Sequence, residues 1–434
     1  MLDILRIEAS KAAELIRKAD SVHIFTHYDA DGISSGAILA IAVSRLNKQF
    51  HVTFLKGLNT VPESDSDLII LSDMGSGYPN IVSKIEKDVV IVDHHAPVGK
   101  IEPLNDNVVV HVNPHLAGLD GTYELCASST AFIVADCLGN NDDLTAVSIA
   151  GILGDKQKIV GGNEEVVKRG LKSGYIEVKK GLNLHSGKLR EVLQLSTEPF
   201  LDFYGKDEEL DEFLKKVGLS GEEDVDSLSN DEIRRLANAI ILKLLKQGAY
   251  EGVIEEFVGK KIILKNELIE NAVTYTDVIN ACGRATACGI GFAICSKDEK
   301  FLEKGYNIWK KFQIELLDEI TKRREEIKEG ECIRYLIMEK APSTGPIATV
   351  LSRYIYSDKP FIAVNIKNDS AKVSSRANPK IKVNLGEVMN VAAEKVGGRG
   401  GGHSVAAGAI IPADKAEDFV KEVDKLCCAM LKPS

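Results

Sequence analysis

The sequence predicts an α/β protein: a doubly wound parallel sheet in the N-terminal half, a helical stretch, and a smaller C-terminal α/β domain. Three observations predict it. Short apolar runs alternate with helical periodicity from Val22 to Asp155, the pattern of a parallel sheet covered by helices. Three of those runs stop at Asp or His clusters, and ligands of such sheets collect beyond the carboxyl ends of the strands. A second alternation of strands and helices begins near Cys332 and runs past a glycine-rich segment at 397–402.

In order, residues 1–19 read as an amphipathic helix with Leu5, Ile7, Ala12, Leu15 and Ile16 on its apolar side. A buried strand follows at 21–26, then Thr26-His27-Tyr28-Asp29-Ala30-Asp31-Gly32 and a helix to about Leu46. Strands are expected at 51–55, 67–71, 89–92 and 108–112, with helices near 79–86, 128–138 and 143–153, the last ending at Gly154-Asp155. Residues 200–260 are charged and helical, reading as a linker or inserted module with a solvated interaction surface. A long helix is expected over 297–328. The closing unit reads as strand 332–338, helix 344–356, strands 361–366 and 371–375, helix 385–396, strand 408–411 and helix 414–430. Domain boundaries are therefore expected at 1–190, 191–296 and 297–434.

A chain of 434 residues with 44% hydrophobic and 27% charged residues is ordinary for a soluble globular protein of two domains. No apolar run is long enough to span a bilayer and no signal segment precedes the first helix, so no membrane partner and a cytoplasmic location are expected. The eight cysteines form no Cys-x-x-Cys pair, which argues against a zinc ribbon and for reduced, mostly buried thiols. A formal charge of −10 argues against a surface coated for nucleic acid but permits a local basic groove.

The chemistry concentrates at the strand ends. In extended backbone, residues two apart share a face, so His27, Asp29 and Asp31 are all able to point at one site. Imidazole with carboxylates suits a divalent cation such as Mn, Mg or Zn. Gly32 permits a turn, and the helix it opens presents amides suited to phosphate. Asp73 closes one later strand and Asp93-His94-His95 another, which together predict a shared metal site; the alternative is a set of unrelated capping residues.

The ordered set His27-x-Asp29-x-Asp31-Gly32, Asp73, Asp93-His94-His95 and Gly154-Asp155 resembles the four motifs of the DHH phosphoesterase superfamily. Gly400-Gly401-Gly402-His403 with Ala406-Ala407-Gly408 resembles the DHHA1 substrate-binding domain of its first subfamily. With Asn280-Ala281-Cys282-Gly283-Arg284 and Ser374-Ser375-Arg376, the pattern is similar to RecJ-type single-strand exonucleases, the archaeal RecJ-like group in particular. The resemblance implies two divalent ions, Mn preferred and Mg possible. His27 and Asp29 would hold one, Asp31, His94 and Asp155 the second, with Asp73 bridging. It casts His95 as a phosphate contact or proton donor and Asp93 as the residue orienting the histidines, a plain cap being the alternative for Asp93. Asn280, Arg284, Ser375, Arg376, Arg399, Gly401, Gly402 and His403 would bind substrate, the glycine run offering amides to a phosphate unless it is a flexible loop.

The resemblance implies end-wise hydrolysis in replication or repair, 5′→3′ on single-stranded DNA as in bacterial RecJ or 3′→5′ on single-stranded RNA as in archaeal relatives, and neither spacing nor charge decides between the two polarities. The alternatives are a phosphoesterase of short oligonucleotides, pAp or cyclic dinucleotides, and a replisome scaffold associated with GINS and the replicative helicase.

Overall fold

The computed structural model describes residues 2–431, so Met1, the first residue of the expected N-terminal helix, lies outside the described residues. The chain runs α1 (Leu2–Lys18), β1 (Ser21–His27), α2 (Ala30–Arg45), β2 (Gln49–Leu55), β3 (Leu68–Ser72), α3 (Pro79–Val82), β4 (Asp88–Val92) and β5 (Val109–Val112). Then come α4 (Ala127–Leu138), α5 (Leu144–Gly154), α6 (Gly161–Ser173) and β6 (Ile176–Leu182). Strands β1 to β5 pair in parallel in the order β2-β1-β3-β4-β5. The order reverses between β1 and β3, and that switch point leaves a crevice at the carboxyl ends of exactly the two strands that stop at His27 and Asp73. Strand β3 is buried throughout and β4 from Val89 on, as parallel strands covered on both faces must be. One face packs Phe25, Ile69, Leu71, Val89 and Ile91 against Leu58, Met74, Val82 and Ile85.

Next are α7 (Leu189–Leu195), α8 (Asp207–Val217), α9 (Asn230–Lys246), α10 (Gly252–Phe257), β7 (Val258–Leu264), α11 (Ala272–Arg284), α12 (Cys288–Cys295) and α13 (Leu302–Arg323). The chain closes with β8 (Lys328–Glu329), β9 (Arg334–Glu339), α14 (Thr344–Tyr354), β10 (Phe361–Lys367), β11 (Ser370–Arg376), α15 (Leu385–Lys395), β12 (Arg399–Gly402), β13 (Ala406–Pro412) and α16 (Ala416–Leu431). These closing strands form one sheet in the order β12-β13-β11-β10-β9-β8, parallel only between β9 and β10.

Two compact units result: Met1–Lys179 with Lys260–Trp309, and Lys180–Gly259 with Lys310–Ser434. Composition placed the boundaries at 190 and 296; the compact units divide within β6, within β7 and within α13. Helices α11 and α12 pack on α2 and so join the first unit, with α11 also against α5. Residues of α7 to α10 share one core with β9, β10 and α14 in the second: Leu193, Leu210, Leu236, Ile240 and Leu244 lie with Leu336, Met338, Ile347 and Phe361. The opposite face of that sheet carries Ile362, Val364 and Val373 against Leu385, Met389, Phe419 and Val423. The alternation along β10 therefore serves both cores.

Three expectations change. The charged stretch at 200–260 covers one face of a sheet, because its helices are amphipathic and their polar faces dominate the composition. The helix expected over 297–328 is shorter, Leu302–Arg323. Cys332 and Cys428 are disulfide-bonded with Cα atoms 5.4 Å apart, whereas reduced thiols were expected; a pair 96 residues apart has no signature in local spacing. The other six cysteines are free.

Candidate metal centre

The β1–α2 turn is built from its own residues. Asp29 caps α2, its Oδ1 accepting from Gly32 N at 3.0 Å. A Cβ on Gly32 would sit 2.4 Å from the His27 carbonyl oxygen, so only glycine lets the helix start this close to the strand. Asp31 then points inward, fully buried, with Oδ2 accepting from Ala127 N at 2.7 Å and Oδ1 from Ser128 N at 2.8 Å. Those are the first two amides of α4, where a helix favours negative charge. Gly151 of α5 makes room for this carboxylate: a Cβ there would lie 1.9 Å from Asp31 Oδ1 and 2.1 Å from Ser128 Oγ.

Asp73 follows β3 with φ of +56°, a left-handed conformation that costs a non-glycine residue energy and turns its carboxylate toward the crevice. Its Oδ2 lies 3.4 Å from His27 Nδ1 and its Oδ1 3.4 Å from His94 Nε2. His27 Nδ1 is also 2.9 Å from Asp29 Oδ2, while His94 Nε2 is 3.3 Å from Asp155 Oδ2 and 3.8 Å from Asp31 Oδ2. Two sets of donor atoms thus lie close enough to hold an ion, His27–Asp29–Asp73 and Asp31–His94–Asp155, and Asp73, His94 and His95 form a third grouping.

Behind them, Asp93 gathers the next turn. Its Oδ1 accepts from His94 N, His95 N and His95 Nδ1 at 2.8, 3.2 and 2.8 Å, and its Oδ2 from Ser76 N at 2.9 Å. Asn113, also buried, donates to Ser76 Oγ and to the His95 carbonyl. The His95 side chain stays 58% exposed, leaving its Nε2 edge to solvent.

Burial disfavours charge on every member, and pairing decides the direction. Against burial, Asp29 and Asp73 raise His27 to about 11, and Asp73, Asp31 and Asp155 raise His94 well above the ordinary imidazole range. Burial and then the Asp73 charge push Asp31 up to about 6, and burial with Asp31 pushes Asp155 well above the carboxylate range. Against burial, His27 holds Asp29 down and His95 holds Asp93 far down. The same Asp93 raises His95.

The donor set fits a pair of divalent cations. Asp73 Oδ1 is buried and accepts no hydrogen bond, a costly vacancy unless a cation occupies the acceptor. Burial and mutual repulsion raise Asp31 and Asp155, and a cation beside them would favour their ionised forms. Hard oxygen donors with imidazole match Mn²⁺ or Mg²⁺.

The eight residues expected to be catalytic or metal-binding, His27, Asp29, Asp31, Asp73, Asp93, His94, His95 and Asp155, are therefore brought together in the first unit. Asn280 is placed beside them: its Oδ1 accepts from Ala30 N at 3.3 Å, and a Cβ on Gly283 would meet the Tyr28 carbonyl at 1.8 Å. Asn280 thus braces the β1–α2 turn, and Arg284 ends the same helix, exposed. In the second unit, Ser375, Arg376, Gly401, Gly402 and His403 gather at one end of the sheet, Arg376 opposite Ala406, Gly402 opposite Ala407, and His403 in the turn between β12 and β13. Arg399 lies at the far end of β12, opposite Ile410. The glycine run, expected as a nest or loop, is the edge strand β12. Ser375 is fully buried and its hydroxyl donates to Ala407 O at 3.1 Å. Arg376 donates to Thr349 Oγ1 at 3.2 Å and Ser375 O at 2.9 Å, and burial lowers its pKa. Sequence reasoning passed over Gly151, Gly121, Asn113, Gln157 and Asn163; the one local signal was a glycine inside the apolar helix at 151.

Residues 21–153 match the model of the DHH family N-terminal domain, and residues 333–428 match that of the DHHA1 domain. This chain belongs to the RecJ-like DHH superfamily. An uncharacterized protein of Methanocaldococcus jannaschii is 30% identical over 99% of this DHH chain and 98% of its own length. The fold resembles that of RecJ from Thermus thermophilus in complex with Mn²⁺, with a TM-score of 0.63 and 18% identity. That likeness covers 99% of this chain but 55% of RecJ, so the DHH chain spans about half the length of that nuclease. It also resembles CDC45 from Entamoeba histolytica, at a TM-score of 0.60 and 13% identity over 98% of both chains. The match to the DHH family supports a phosphoesterase or nuclease. Among the described residues, no helix is long and apolar enough to cross a membrane.

Proposed function

We propose that this DHH protein is a metal-dependent exonuclease that hydrolyses phosphodiester bonds of single-stranded DNA from the 5′ end, and of single-stranded RNA. The observation that carries this reading is Asp73, which turns one oxygen toward His27 and the other, free of hydrogen bonds, toward His94. In it, His27 and Asp29 would hold one divalent ion, Asp31, His94 and Asp155 would hold a second, and Asp73 would serve both. Bound there, the ions would supply an activated water and neutralise charge on the phosphoryl oxygens.

The protein's own groups do the rest. Asp93 orients the His95 ring through Nδ1 and, against burial, raises its pKa, which favours donation from the Nε2 edge to a phosphoryl or leaving oxygen. In the second unit, Arg376, Arg399, the amides of Gly401 and Gly402, and His403 take a nucleic-acid backbone; in the first, Arg284 and Asn280 are further contacts. Ser375 holds β11 to β13 and takes part through that frame. The likeness to CDC45 along nearly the whole of both chains supports a second reading, a replisome component working with GINS and the replicative helicase.

The test is digestion of end-labelled single strands of graded length, DNA and RNA, with Mn²⁺ or Mg²⁺. Shortening from the 5′ end is expected, and Asp73→Asn and Gly151→Ala should each lower the rate at least ~100-fold, the second by expelling Asp31 from its place. Turnover confined to dinucleotides or pAp would replace the substrate assignment. No hydrolysis under any of these conditions, with Mn²⁺ bound, would leave the scaffold reading.

A further inference from the structure

We infer that Gln157 is a positioning residue of this centre: with Asn163 and the Gly121 carbonyl it determines which ring nitrogen of His94 faces the Asp31–Asp155 pair. The inference rests on the metal reading above.

The argument follows the hydrogen bonds. His94 Nδ1 lies 2.7 Å from Gly121 O, and Gln157 Nε2 reaches the same carbonyl at 2.8 Å, itself 3.3 Å from the His94 nitrogen. Asn163 Nδ2 donates to Gln157 Oε1 at 2.9 Å, and Asn163 Oδ1 accepts from Cys126 N at 3.3 Å. The direction of this chain is set at both ends. A backbone N–H only donates, so the Asn163 oxygen faces Cys126 and its amine faces Gln157. The Gln157 oxygen is thereby engaged, and its amine must face Gly121. A backbone carbonyl only accepts, so at 2.7 Å His94 Nδ1 carries a proton, and Nε2 is the ring nitrogen turned toward the Asp31–Asp155 pair.

Nothing in this relay has slack. Asn163 is fully buried and Gln157 7% exposed. A Cβ on Gly121 would lie 2.1 Å from the His94 carbonyl oxygen and 2.8 Å from His115 Nε2, so only glycine admits its own carbonyl to the ring. The relay also touches the other members of the same donor set. Cys126 is the N-cap of α4, whose next two amides carry Asp31, and Gln157 stands two residues beyond Asp155. One buried run of amides therefore ties Asp31, His94 and Asp155 together and bypasses His27 and Asp29.

That asymmetry is what the experiment reads. Mn²⁺ binding by the full chain is measured by calorimetry, counting ions and their affinities, for wild type, Gln157→Met and Gln157→Asn. The first removes the amide at similar volume; the second keeps an amide too short to reach Gly121, and serves if the first does not fold. Nitrogen NMR of the zinc-loaded protein reports which His94 nitrogen carries the proton. With fold and thermal midpoint retained, one ion should bind as in wild type and the other at least ~10-fold more weakly, with loss of the Nδ1 proton signal. Unchanged affinity for both ions, or an equal loss at both, would overturn the relay. Failure of the wild type to bind Mn²⁺ would overturn the metal reading beneath it.

Discussion

Glu267 shows how a single residue far from the metal centre sets a measurable property. Its side chain is fully buried, with Lys297 Nζ 3.0 Å from Oε1 as its ion-pair partner. Burial pushes its pKa up to about 7, and Lys297 offsets only part of that. The folded-state value lies above the unfolded one, so the neutral acid is what the fold accommodates. Its contribution is complete below the unfolded value of 4.5 and is lost as pH rises through about 7. Ionisation then costs about 3 kcal/mol, from the usual conversion of a pKa difference into free energy. Glu267→Gln should therefore stabilise the protein relative to wild type at about pH 8 and not at about pH 4.5. Unfolding midpoints of both proteins at the two pH values check this; an equal difference at both would refute it. At the same scale, His27, Asp29, Asp31, Asp73, His94 and Asp155 could be picked out as candidates in the sequence because each lies at or just beyond the end of a strand or helix, or in the turn that opens the next helix. Gly151 and Gln157 were not, because each acts on a residue distant in the chain.

Among the elements, α7 to α10 depart furthest from their reading. The charge of residues 200–260 suggested a linker or inserted module with a solvated interaction surface, yet their apolar stripes bury Leu236, Ile240 and Leu244 against β9, β10 and α14. Ser229 and Glu232 form a capping box at the start of α9, the signature of a helix meant to be rigid. Ile240→Ala should accordingly cost about 2–5 kcal/mol, as large-to-small changes at fully buried sites do. Loss should be seen in the unfolding of the second unit, measured by denaturant melts; a change below about 0.5 kcal/mol would return these helices to the status of a linker. Deleting 200–260 to look for lost partners would remove half a core, so partner binding is better sought with substitutions on the exposed faces of α8 and α9. The strands β1, β3, β4 and β5 were readable as apolar runs. Strand β12 was not, because glycine has no side chain to report a pleat and its pairing with β13 is visible only in register.

For the whole molecule, the formal charge of −10 understates how unevenly acid is placed. Asp29, Asp31, Asp73 and Asp155 converge where the sheet order reverses. Folding must hold them together without cations or with them, and the difference is a stability. Mn²⁺ at 100 times its dissociation constant should stabilise the protein by about 2.7 kcal/mol per site. Asp73→Asn removes one shared acceptor together with its pairing to His27 and His94. The variant should gain less stability from Mn²⁺ than wild type, a difference that thermal scans in chelator and in Mn²⁺ detect directly. An equal gain in both proteins would mean the carboxylates are not held for a metal.

Chain chemistry alone established the class of fold, the strands of the first sheet, and the candidate metal-binding side chains, because alternating apolar runs and strand-end acids are local patterns. It could not say that α11 braces the β1–α2 turn, that Cys332 meets Cys428, that charged helices line a core, or that Gly151 and Gln157 shape the site. Each of those is a contact between segments far apart in sequence, and the physics that selects it, exclusion of a Cβ or satisfaction of a buried amide, exists only once the segments have met.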